Sequence, residues 1–145
     1  VSYATRPAYE TEFEASELTQ LESGRAGAFA QCAQDADGEI NSYLATRYAV
    51  PVMPAPKQLI AVALDITRFR LHDERASELV VKRYERAVSW LRDISAGKAA
   101  LIGDDGTPIP EAESPTSGPV SAYAPQRQLV TGAVFERRYG RGCVL

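Results

Sequence analysis

The sequence predicts a mainly α-helical fold, a compact bundle of four to five helices followed by a long, partly extended C-terminal arm. Three observations carry that expectation. Apolar residues recur at steps of three and four through much of the first hundred positions, the period of a helix with one buried face. Proline clusters fall between those stretches or at their first turns, where the missing N–H does no harm. After Leu101 the composition turns to Gly, Pro, Ser and acids, and no helical stripe survives. The chain therefore divides into a helical domain, residues 1–101, and a Pro/Gly-rich linker with a C-terminal arm, residues 102–145.

The first helix starts after Thr5, a plausible N-cap, with Pro7 in its first turn and Glu10, Glu12 and Glu14 following. Ser16 and Glu17 restart a short second helix carrying Leu18 and Leu21, which Gly24 ends. A third helix spans about Ala26 to Tyr48, its stripe formed by Phe29, Cys32, Ala33, Ala36, Ile40, Tyr43 and Leu44. Pro51, Pro54 and Pro56 then impose an extended connection. The next helix, Lys57 to about His72, is apolar on most sides and is expected to be central. The last helix, with Asp73 as its expected cap, buries Val80, Tyr84, Ala87, Val88, Leu91 and Ile94 and stops at Gly97 and Lys98. Its opposite face, with Lys82, Arg83, Glu85, Arg86, Arg92 and Asp93, is solvated or faces a partner. Further on, Asp104-Asp105-Gly106 suits a tight turn between two short extended pieces.

At 145 residues with 45% hydrophobic content the chain is long enough for one globular domain. No run approaches 18 apolar residues, so no transmembrane helix is expected, and the first residues lack the basic and apolar regions of a signal peptide. Cys32 and Cys143 are far apart and belong to no CxxC pair, which points to reduced thiols. The net charge of −3 is unevenly distributed. Residues 1–46 hold eight acids and two bases, whereas residues 47–100 hold ten bases and six acids. Such a split suits complementary contact, within the fold or between copies. It does not suit a dedicated nucleic-acid binder, which is usually basic overall.

The stretch CAQDADGEINSYL resembles half of a calcium loop. Placing Gly38 at the sixth position leaves Ala33 and Leu44 where the first and twelfth ligands belong. A continuous helix with Asp35, Asp37 and Glu39 on its outer side accounts for the segment better. His72 is the only histidine and sits at a helix end, and no GxSxG, HExxH, P-loop or GxGxxG motif is present. Neither catalytic, metal nor cofactor residues are therefore assigned, and the chain is not expected to be an enzyme. Asp65 and Arg68, three apart on the most buried helix, are expected to form a structural ion pair, with Arg47 as a possible third member. A partner interface is expected at Arg83 and Arg86 and in the segment holding Phe135, Arg137, Arg138, Tyr139 and Arg141. Trp90 is either the edge of the core or a contact residue on that surface.

Five blocks in order resemble a known family: SYAT (Ser2–Thr5), EINSYLATRYAVPV (Glu39–Val52), LIAVALDITRFRLH (Leu59–His72), VKRYERAVSWLRDISAGKAAL (Val81–Leu101) and VFERRYG (Val134–Gly140). They resemble the small neck proteins of Mu-like phages and prophages, and the head–tail adaptor, or head-completion, proteins of long-tailed phages. The resemblance implies an α-helical protomer that assembles into a ring, commonly of twelve, beneath the portal. Such a ring extends the DNA channel and receives the next neck component, the stopper. Its implied partners are copies of itself, the portal protein and that downstream protein, with genomic DNA passing through unread and no membrane contact. Its implied place is the head–tail junction of the virion, and the host cytoplasm during assembly. VFERRYGRGCVL would be an arm onto the portal. The alternative is a small helical nucleic-acid- or ligand-binding regulatory module.

Overall fold

The computed structural model describes residues 1–113. Five helices follow one another: α1 (Arg6–Glu12), α2 (Ala15–Glu22), α3 (Ala28–Leu44), α4 (Lys57–His72) and α5 (Glu78–Ser95). A single 3-10 turn, Asp73–Arg75, joins α4 to α5. The fold is mainly α, as the periodicity predicts. Val1–Ala112 forms one compact unit, and residues 114–145 lie outside the described residues. No helix among the described residues is long and apolar enough to cross a membrane.

The central helix is α4, which packs against both α3 and α5 while those two also touch. It buries Leu59, Val62, Ala63, Leu64, Ile66 and Leu71. Each of the Leu, Val and Ile side chains contributes on the order of 1.5–3 kcal/mol by leaving water. Thr67 is a fully buried polar side chain on α4, and its hydroxyl donates to the Ala63 carbonyl one turn back, at 2.7 Å. The bounds of α4 match the expected Lys57 and His72. Pro56 precedes the first turn, and Asp73 ends the helix with a φ of 50°.

That backbone at Asp73 corrects one expectation. Asp73 does not cap α5; Ser77 does, its Oγ accepting the Val80 N–H at 3.4 Å. Gly97, with a φ of 80°, ends α5 by taking the left-handed conformation that other residues resist. α3 is shorter than the expected span of Ala26 to Tyr48, because Gly27 (φ 78°) starts it late and the chain leaves the helix after Leu44.

Two tyrosine hydroxyls fasten irregular segments to the bundle. The Tyr3 hydroxyl donates to Asn41 Oδ1 at 2.8 Å and accepts the Val52 N–H at 2.9 Å, while the Tyr3 N–H donates to Asp37 at 3.0 Å. The Tyr48 hydroxyl accepts the Leu101 N–H at 3.0 Å. Beyond Leu101 the chain makes a tight hairpin with an antiparallel bridge between Ile102 and Pro108, turning through Asp104–Gly106. Asp104 Oδ1 accepts the Lys57 N–H at 2.9 Å, capping α4 from 47 residues downstream. The Ala112 N–H then donates to the Arg47 carbonyl at 2.8 Å. Residues 102–112 therefore belong to the compact unit.

Candidate interaction surfaces

The acidic N-terminal part and the basic middle meet inside this protomer. Glu17 on α2 accepts two hydrogen bonds from Arg68, at 2.9 and 3.1 Å, and contacts His72 Nε2 at 2.6 Å. Burial alone would raise the Glu17 pKa, but Arg68 and His72 outweigh it and hold the carboxyl below its ordinary value. Arg83 on α5 reaches Asp65 on α4 and Glu12 on α1, each at 3.2 Å. Both guanidiniums lie over the Phe13 ring, Arg68 at 4.3 Å and Arg83 at 5.1 Å from its centre. Glu39 on α3 accepts Arg70 at 2.6 Å and the Tyr84 hydroxyl at 2.9 Å, beside a Phe69–Tyr84 stack with ring centres 4.0 Å apart.

These contacts revise the expected ion pair. Asp65 and Arg68 do not pair with each other: Asp65 pairs with Arg83 and Arg68 with Glu17. Glu17 offers Arg68 both carboxylate oxygens, a two-bond geometry stronger than a single contact along the helix. Arg47 joins neither. Its Nη1 donates to the Ile94 and Ala99 carbonyls at 2.6 and 2.8 Å, and its Nη2 bonds Glu111. The acids of α3 are likewise not simply an outward face, since Asp37 holds the Tyr3 N–H and Glu39 holds α4 and α5.

Of the residues expected at a partner interface, Arg83 is engaged within the fold, Arg86 is exposed, and Trp90 is half-buried against the edge of the core. Phe135, Arg137, Arg138, Tyr139 and Arg141 lie outside the described residues. Cys32 is a free thiol whose pKa is raised by burial; Cys143 also lies outside. Among the described residues no three His, Cys, Asp or Glu side chains come together as metal ligands would.

A feature that sequence reasoning missed is a groove of about 600 Å³ between the connection from α3 to α4 and the hairpin. Tyr48, Pro51, Met53, Pro56 and Ile109 are among its apolar lining, and Asp104 and Asp105 contribute carboxylates. Val50 and Met53 are 37% and 46% exposed, and Ile102 of the hairpin is 55% exposed. Among the described residues five large apolar side chains are exposed, and these three belong to the connection and the hairpin; the others are Val1 and Leu79 on α5. The signal available in the sequence was VPVMPAP, where prolines hold apolar side chains in a segment that cannot form a helix to bury them.

A family model described as Bacteriophage Mu, Gp36 matches residues 3–118. The chain belongs to this family. The match begins at Tyr3, whose hydroxyl joins three segments, and takes in all five helices and the hairpin. Similar relatives within the Mu-like phages include the Mu-like prophage FluMu protein gp36 of Haemophilus influenzae, 30% identical over 81 residues. That alignment covers 56% of this chain and 57% of the relative. Gene product J of Escherichia phage Mu is 29% identical over 85 residues, covering 59% of this chain and 57% of the relative. The matched part thus spans little more than half the length of the curated relatives.

Proposed function

We propose that this Mu-like phage protein is a structural head–tail connector, an adaptor or head-completion subunit of the phage neck. In this role copies of the chain form a ring beneath the portal, extend the DNA channel and recruit the next neck component. The protein acts at the head–tail junction of the virion and is held in the host cytoplasm only during assembly. The chain works without catalysis, metal or cofactor. The observation that carries the reading is membership of the Bacteriophage Mu Gp36 family over residues 3–118, the whole described bundle.

The chemistry of the bundle supports the same role. Its half-buried charged groups join one helix to another: Glu17 to Arg68, Glu39 to Arg70, and Arg83 to Asp65 and Glu12. A part that transmits position needs such a shape-holding network. The exposed bases Arg75, Lys82, Arg86, Arg92 and Lys98 are interspersed with exposed Glu74, Glu78 and Glu85. A surface of mixed sign lets DNA slide past, whereas a uniformly basic one would hold many phosphates.

The test is co-expression with a Mu-like phage portal protein, followed by electron microscopy of the purified particles. Rings of this protein seated on the portal are expected. A chain that stays monomeric and associates with neither portal nor virions would overturn the connector role. Salt-dependent retention of duplex DNA by the isolated protein would favour a nucleic-acid-binding module instead.

A further inference from the structure

The exposed line of α5 and the proline-lined groove have complementary chemistry and cannot meet within one protomer. Leu79, Lys82, Arg86 and Trp90 are spaced three, four and four residues apart, which places them on one line along the helix. Leu79 is 63% exposed, Lys82 and Arg86 are exposed, and Trp90 is half-buried. The groove presents Met53 as an exposed apolar lining residue, with exposed Val50 beside it in the same segment, and Asp104 and Asp105 as acids. Both carboxylates make their described hydrogen bonds through Oδ1, Asp104 to the Lys57 N–H and Asp105 to Thr107. Each keeps its second oxygen for a further donor.

The Leu79 end of the line lies toward the opposite end of the bundle from the groove. Arg47 holds the C-terminal end of α5 through the Ile94 carbonyl, next to Tyr48 in the groove wall. Leu79 precedes Ile94 by fifteen residues, about 22 Å along the helix axis. Contact between the surfaces therefore needs two copies. It is heterologous, so it repeats from copy to copy, and a rotation that closes makes it a ring.

We propose that Leu79, Lys82, Arg86 and Trp90 of one copy seat on the groove of the next, with Leu79 against Met53 and Val50 and the two bases on Asp104 and Asp105. This deepens the ring reading and rests on it. In this pairing the apolar ends of the line, Leu79 and Trp90, flank the two bases, so each charge is set between apolar contacts.

Disulfide trapping tests the pairing in a Cys32→Ser/Cys143→Ser background. Leu79→Cys and Met53→Cys are made in separate proteins, which are mixed and oxidised alone and on co-purified portal. A cross-linked heterodimer is expected from the mixture, with little dimer from either variant alone. Adding Lys82→Glu and Arg86→Glu, both at exposed positions, to the Leu79→Cys protein should lower the heterodimer yield about tenfold by placing acid against acid. Equal cross-linking by each variant alone would mean a self-paired interface and overturn the proposal. No cross-link in any mixture also overturns it. Micrographs of the unsubstituted protein on portal then separate the two readings: rings without the cross-link remove only this pairing, and no rings removes the connector role as well.

Discussion

Glu17 and Asp65 are both half-buried carboxylates with an arginine partner, yet their pKa values move in opposite directions. At Glu17 the hydrogen bonds from Arg68 and His72 outweigh burial, and the pKa falls. At Asp65 burial dominates over the attraction of Arg83, and the pKa rises. The pH consequences follow from those signs. A depressed carboxyl stabilises the fold above its unfolded value and loses that contribution as pH falls through the folded value. Glu17→Gln should therefore lower stability at pH 7, by about 1–3 kcal/mol for a lost charged hydrogen-bond pair, and flatten the loss below about pH 4.5. Urea unfolding across a pH series measures both. Asp65 has the reverse sign: its contribution is most favourable below the unfolded value and declines as pH rises through the folded one. Asp65→Asn should match or exceed the parent stability at pH 7, by up to about 1 kcal/mol. A large loss would show that the Arg83 pair outweighs burial. None of these partners was legible in the sequence. A local spacing of three suggests Asp65 with Arg68, but the better acceptor for Arg68 lies 51 residues away on α2.

Among the elements, α4 was the most legible. Its apolar residues leave almost no polar face, Pro56 marks its start, and both ends fall where expected. The start of α5 was less so, because Asp73 and Ser77 are both good capping residues. Only the backbone at Asp73, with its positive φ and the 3-10 turn after it, gives the cap to Ser77. Ser77→Ala should therefore cost about 1 kcal/mol of stability, whereas Asp73→Ala should not reproduce a capping loss. At the other end, Gly97→Ala should cost about 1–2 kcal/mol for forcing a side chain into the left-handed region. Thermal unfolding followed by circular dichroism distinguishes the three variants. The cap on α4 was beyond sequence reasoning: Pro56 has no side-chain donor or acceptor, and the acceptor comes from Asp104 in the hairpin.

For the molecule as a whole, the uneven charge along the chain was visible at once, but its use was not. The sequence allowed the acidic first third to meet basic residues in the same copy or in a neighbour. The structure directs Glu12, Glu17 and Glu39 to Arg83, Arg68 and Arg70 of their own chain. Neither could the sequence place the groove, since its two walls fall within 48–56 and 103–110 and nothing local links them. The end of the compact unit yields a direct comparison. A chain of residues 1–112 should unfold cooperatively. One cut after Leu101 loses the Asp104 cap on α4 and the contacts of Arg47 with Ala112 and Glu111. That shorter chain should be less stable by about 1–3 kcal/mol, as urea denaturation of the two fragments would reveal. Equal midpoints would mean that the hairpin adds nothing.

The Tyr3 side chain has a further consequence during synthesis. Its partners, Asn41 and Val52, follow it by 38 and 49 residues. At about 5–20 residues per second, the ribosome needs roughly 2–10 s after making Tyr3 to make Val52. Through that interval the opening residues cannot take their final place, however early α1 winds. The Tyr3 segment, made before its partners, is thus among the later parts to be secured. A nascent-chain arrest series, assayed by limited proteolysis near Arg6, should show protection arriving only once Val52 has cleared the exit tunnel.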